Sequence, residues 1–233
     1  MHRTPTAGIR SVATTIGFTT LFMLATSWLL LSANGYVVNL RSLSIQQRAL
    51  ISLAGLPTRV DVIIDGRSVS QKLPTTIRNV IAGQHEIRIT APGLQDWQLT
   101  TSVSAGQAVV RDSIELFRIS PIPLNGTLPT VSDAPFVDPN LSVVDGEISR
   151  LVGAQRTLIT RFSQPILAAQ LSNDRAHVFV QLGNQILVTE LDGANTTPLV
   201  TLLDTKPVII SPSARDSVLA VRAGETVQAW QIR

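Results

Sequence analysis

Val60-Asp-Val-Ile-Ile64 followed by Asp65-Gly66 sets the pattern for most of this chain, a short apolar run closed by a tight turn. Val and Ile are β-branched and favour extended backbone, and glycine tolerates the positive φ that a two-residue hairpin turn demands. The same pattern continues on both sides. Leu50-Ile-Ser-Leu53 comes before it, and Pro74-Thr-Thr-Ile77 leads to a turn at Ile81-Ala-Gly83. His85 to Thr90 alternates, with Ile87 and Ile89 on one face and Glu86 and Arg88 on the other. Ala91-Pro-Gly93 breaks that strand, Trp97 to Val103 alternates again, and Ser104-Ala-Gly-Gln107 turns into Ala108 to Phe117. About seven short strands with closely spaced turns predict a small β-sandwich over residues 49–118.

Leu56-Pro57, Val60-Asp-Val-Ile-Ile64 with Asp65-Gly66, Leu73-Pro74, Ala82-Gly83-x-His85-x-Ile87, Gly93, Trp97 and Ala105-Gly106 follow in order. This succession resembles the PEGA domain, a β-sandwich module of prokaryotic surface and envelope proteins, from Ala49 to Phe117. Three places depart from the family pattern. Leu73-Pro74 stands where Thr-Pro is usual, Ala82-Gly83 replaces Pro-Gly, and Gly93 lacks the usual aromatic after it. Trp97 is placed to fill that last core contact. The resemblance implies a surface location and a binding or scaffolding role, and it carries over no catalytic residue.

Ahead of this module, Ser11 to Leu40 holds no charged residue and lies between Arg10 and Arg41. A membrane helix needs roughly 20 mostly apolar residues to cross the hydrocarbon layer, and Ile16 to Val38 supplies them. Trp28 and Tyr36 suit an interface. Residues 1–10 then form a cytoplasmic stub, 11–40 a transmembrane signal anchor, and 41–48 a short juxtamembrane segment. The rival is a cleaved signal peptide, with His2, Arg3 and Arg10 as its charged start and Ala33-Asn-Gly35 as its cleavage site. The apolar region is longer than such peptides use, which favours the anchor, with the later domains outside the cytoplasm.

Pro121, Pro123, Pro129, Pro135 and Pro139 mark residues 119–140 as a linker or an extended strap. Residues 141–233 then repeat themselves at about 40 residues. Leu151-Val-Gly153, Thr157 and Pro165 match Leu191-Asp-Gly193, Thr197 and Pro207. Ser172 and Val178-Phe-Val180 match Ser211 and Val218-Leu-Ala-Val221, and Gly183 to Leu191 matches Gly224 to Ile232. About two copies with four strands each read as β-propeller-like blades, either the front of a longer propeller or a smaller β-domain.

The composition narrows the chemistry. The net charge is only +3, Lys72 and Lys206 are the two lysines, and the arginines are scattered, so no nucleic-acid surface is expected. The absence of cysteine excludes disulfides, zinc-thiolate sites and a thiol nucleophile. His2, His85 and His177 are the three histidines; His85-Glu86 lacks a second histidine four residues on, and no Gly-x-Ser-x-Gly or Walker loop occurs. Asp133, Asp138, Asp145 and Glu147 form the densest acidic group, without the EF-hand order, and read as a solvated loop. Asn125, Asn140 and Asn195 head sequons that mark polar loops.

The expectation is a mainly β, non-enzymatic, membrane-anchored envelope protein with no catalytic, cofactor or metal residues. Its partners are the bilayer through residues 11–40 and envelope proteins or cell-wall polymer. The alternatives are the front part of a propeller hydrolase or lyase, or a stalk that binds cell-wall polymer.

Overall fold

The computed structural model describes residues 6–33, 36–39, 44–125, 128–131, 135–213 and 217–233. A helix, α1 (Thr6–Ala33), precedes a hairpin of β1 (Tyr36–Asn39) and β2 (Ser44–Gln47). Then come β3 (Ala49–Leu56), β4 (Arg59–Ile64), β5 (Arg67–Lys72), β6 (Thr75–Val80), β7 (Gly83–Thr90), β8 (Trp97–Val103) and β9 (Ala108–Glu115). The proline-rich segment holds β10 (Ile122–Pro123). Next are β11 (Leu141–Val144), β12 (Glu147–Val152), β13 (Gln155–Arg161), β14 (Ile166–Leu171), β15 (His177–Leu182) and β16 (Gln185–Glu190). The last four are β17 (Thr197–Thr201), β18 (Ile209–Pro212), β19 (Val218–Ala223) and β20 (Thr226–Gln231).

The chain divides into two compact units. The first comprises Met1–Leu53, Thr75–His85 and Thr101–Arg111; the second comprises Ala54–Pro74, Glu86–Thr100 and Asp112–Arg233.

In the first unit, α1 contains an uncharged stretch, Thr14–Ala33, long and apolar enough to cross a membrane. Its threonines do not spoil that character, because Thr19 Oγ1 donates to the Thr15 carbonyl and Thr26 Oγ1 to the Phe22 carbonyl, at 2.9 and 2.8 Å. The helix is shorter than the 11–40 segment read from the sequence. It ends at Ala33, and Tyr36–Asn39 is a strand. Aromatic and β-branched residues such as Tyr36, Val37 and Val38 favour extended backbone once a helix has stopped. Asn34 and Gly35, two of the three residues of the candidate cleavage site, lie outside the described residues, as do His2, Arg3, Leu40 and Arg41. Part of the expected juxtamembrane segment is β2.

Residues 49–115 form two small sheets, of strand order β6-β3-β9 and β5-β4-β7-β8; β3 runs antiparallel to β6 and parallel to β9, with the Leu50 amide on the Gln107 carbonyl and the Leu116 amide on the Leu56 carbonyl. In the second, Val60, Val62 and Ile64 of β4 and Ile87 and Ile89 of β7 are buried, as the two-residue alternation predicts. Asp65 and Gly66 close the β4–β5 hairpin with φ of 50° and 77°, the left-handed pair that favours Asp-Gly. The Asp65 side chain also accepts the Glu86 amide at 3.0 Å, tying that turn to β7. Near the end of β3, a Cβ on Gly55 would land on the backbone carbonyl of Ile114.

The tail is built of three antiparallel sheets, β11-β12-β13, β14-β15-β16-β17 and β10-β20-β19-β18. Ile122 and Pro123 of the proline-rich segment pair with Gln231 and Trp230, so part of that segment is the outer strand of the last sheet. Among the described residues no closed barrel or ring of blades is found. The structure also refines the repeat. Ser172 Oγ accepts the His177 amide at 2.9 Å, and Ser213 Oγ accepts the Val218 amide at 3.1 Å. Ser172 therefore corresponds to Ser213, not Ser211, because the hydroxyl that closes the turn must sit five residues before the strand.

The β14–β17 sheet is covered on both faces. Val178 and Val180 of β15 pack with Ile148, Ile159 and Ala169, while Phe179 packs with Ile186, Leu219 and Ile232. Phe179→Ala is expected to lower stability by about 3–5 kcal/mol. Val69→Ala on the exposed β5 edge should change it by less than about 0.5 kcal/mol. Denaturant unfolding of the full chain in detergent measures both.

Candidate functional site

The run Glu115–Arg118 lies between two sets of backbone partners. The Gln95 amide donates to the Phe117 carbonyl at 2.7 Å, and the Arg118 amide donates to the Ile232 carbonyl at 2.9 Å. The Leu116 amide reaches the Leu56 carbonyl at 3.1 Å. Phe117 follows these bonds into the core of the tail. Its ring meets His177 edge-on at 5.5 Å and Phe179 at 6.4 Å. This placement carries Glu115, at the end of β9, to the start of β15.

Here a group of titratable side chains gathers. His177 is 2% exposed, and its Nδ1 lies 3.5 Å from Glu115 Oε2. That separation is too long for a hydrogen bond, and Nδ1 has no hydrogen-bond partner. Burial pushes the imidazole below its ordinary pKa, with Asp174 pulling the other way. Arg233 forms an ion pair with Glu115 Oε2 through Nη2 and stands over the Phe117 ring at 5.7 Å. Burial brings its guanidinium down to about 10, so it stays charged at neutral pH. Asp174 is exposed, and its Oδ1 accepts the Ser172 hydroxyl and the Ala176 amide, the latter at 2.9 Å. One donor atom each from Glu115, Asp174 and His177 lies within 4.8 Å of the others.

A second polar contact lies nearby. Trp97 is buried and its indole Nε1 donates to Glu190 Oε1, which also accepts Asn195 Nδ2 at 3.2 Å. Asn195 Oδ1 accepts the Gln98 amide at 3.0 Å, and Gln95 Nε2 donates to the Pro198 carbonyl at 3.0 Å. The space enclosed among Trp97, Glu115, Phe117, His177 and Glu190 is only about 10 Å³, one water at most. Two larger cavities, about 380 Å³ beside Leu203 and about 390 Å³ beside Phe162, have no histidine in their walls.

The candidates weighed in the sequence fall elsewhere, with one exception. His85 Nε2 meets the Ile81 carbonyl at 2.7 Å, a local turn contact. The acidic group does not converge. Asp138 is buried and accepts Asn140 and Gln170, the latter at 2.9 Å; Asp145 forms a hairpin turn; Glu147 pairs with Arg161 at 2.9 Å. Asp133 lies outside the described residues. His177 is the exception, because it stands at the start of β15 and inside the cluster. Sequence reading missed its neighbours Glu115 and Asp174, which are far apart along the chain. One signal was available: in the second copy of the repeat, apolar Val218 stands at the place of His177.

Trp97→Phe removes the donor to Glu190 together with one ring of the buried indole. It should cost at least about 1.5–3 kcal/mol, the range for a hydrogen bond to a charged group. Thermal unfolding of the full chain reads this directly, and a Tm equal to that of the parent would sink the assignment.

The comparisons with known proteins agree with part of this picture. The PEGA domain family matches residues 51–116, a non-catalytic module. No curated protein matches the chain.

Proposed function

We propose that this is a non-enzymatic, membrane-anchored envelope protein. Residues 49–118 act in it as a PEGA-like sandwich, and residues 141–233 as a blade-like interaction surface. The observation that carries the reading is the bare apolar surface of α1. Phe18, Phe22, Leu24 and Leu29 are 64–75% exposed, and none of the Thr14–Ala33 window is buried. Exposed apolar surface of this extent is unfavourable in water at roughly 25 cal/mol per Å² and is at rest in a bilayer. The hydroxyls of Thr19 and Thr26, bonded to the helix's own carbonyls, are compatible with lipid.

The PEGA match supports a spacer or binding role. Within the second unit, Trp97, Phe117 and Arg118 bond to or pack on the tail, which supports a role for this part of the chain in presenting the repeats. Envelope proteins or cell-wall polymer are the partners that fit a surface made of strand edges and loop tips.

Fractionation with an alkaline carbonate wash, followed by intact-mass measurement, tests the anchor. The expected result is a full-length chain in the membrane pellet. A washed-off chain with its amino terminus intact would defeat the reading, and loss of the first ~30 residues would instead favour the cleaved signal peptide.

A further inference from the structure

The cluster of Glu115, Asp174 and His177 has no part in anchoring, and the hydrogen bonds of the fold leave its central atom unexplained. His177 Nδ1 is buried, faces Glu115 Oε2 at 3.5 Å, and has no hydrogen-bond partner. A buried polar atom without a partner is rare enough in folded proteins to need a reason. Ligand atoms around a first-row metal ion, each about 2.0–2.2 Å from it, stand roughly 3–3.5 Å apart. The His177–Glu115 separation already has that spacing, and all three donor atoms lie within 4.8 Å of one another.

We propose that Glu115, Asp174 and His177 form a binding site for a first-row divalent transition-metal ion such as Zn²⁺, clasping the end of β9 to the turn between β14 and β15. One imidazole and two carboxylates suit such an ion better than Ca²⁺, which takes six to eight oxygens. Each ligand is held by an outer contact, as ligands in metal sites commonly are. Arg233 pairs with Glu115, the Ser172 hydroxyl and Ala176 amide hold Asp174, and the Phe117 ring packs T-shaped against that of His177. Two carboxylates against one guanidinium leave the cluster one negative charge in excess, which a divalent ion offsets. The exposed Asp174 provides the route from solvent. Neutral imidazole, the state that burial favours, is also the state that can ligate a metal.

The test uses the untagged full-length chain in detergent, stripped with EDTA and exchanged into chelator-free buffer. It is titrated with Zn²⁺, with Co²⁺ as the spectroscopic probe and Ca²⁺ as the contrast. A single equivalent of Zn²⁺ is expected to bind, with Co²⁺ absorption bands of nitrogen and oxygen coordination. Tm should rise by roughly 5–10 °C at a hundredfold excess over Kd. Asp174→Asn keeps the acceptor for the Ala176 amide, so its metal-free Tm should stay unchanged while its Zn²⁺ affinity falls about tenfold or more. Asp192→Asn, which alters a comparable turn carboxylate bonded to the Ala194 amide, should leave binding intact. The proposal is overturned if the parent chain binds no Zn²⁺, if Asp174→Asn binds it as tightly as the parent, or if Ca²⁺ raises Tm as much as Zn²⁺ does.

Discussion

Burial of β15 on both of its faces is the constraint around which the tail is organised. Val178 and Val180 point into one apolar cluster and Phe179 into the other, so the sheet that contains them needs a cover on each side. Fully burying side chains of this kind is worth about 1.5–3 kcal/mol each. The sheet β11–β13 covers one face; β18–β20 together with Phe117 covers the other. A strand buried on both sides cannot leave a polar group to water. Gln181, fully buried, accordingly donates from Nε2 to the Gly183 and Lys206 carbonyls and accepts the Val208 amide at 3.0 Å. His177, on the same face two residues before Phe179, is the group that this accounting leaves over.

That leftover lies where the segment after β9 joins the tail. Phe117 supplies apolar area, while Glu115 and Arg233 supply a paired charge with little solvent around it. Desolvating two ions offsets much of their attraction, so such a pair adds little net stability, whereas loss of either partner leaves the other uncompensated. The pair is better understood as fixing which residues meet. Trp97 acts in the same way through Glu190, since its indole nitrogen has to find an acceptor once the ring is buried. In the metal proposal, the geometry around His177 adds a third contact to the same join.

These contacts bear on how the molecule works. A module connected by a flexible linker would bind independently of its neighbour. Here the proline-rich segment is partly spent as a strand, with Ile122 and Pro123 on the edge of β20 and the Leu124 amide bonded to the Ala229 carbonyl at 2.8 Å. Proline is tolerated there because an outer strand needs donors on one side only. Residues after β9 are therefore held by the tail rather than strung before it.

Local patterns in the sequence determined the secondary structure. Alternation at Ile87 and Ile89, the Asp65-Gly66 turn and the uncharged run before Ala33 were all legible, because each depends on neighbours a few residues apart. The end of α1 and the pairing of Ser172 with Ser213 were less so, since apolar residues such as Val37 and Val38 suit helix and strand alike by hydropathy. Tertiary structure alone decided the rest. That β15 is covered twice, that Ile122 joins the last sheet, and that Glu115 reaches His177 and Arg233 all follow from contacts between residues remote in sequence. Such contacts leave no periodic trace, because the partner that makes a side chain buried, paired or orphaned is set by how sheets stack and not by the run of residues around it.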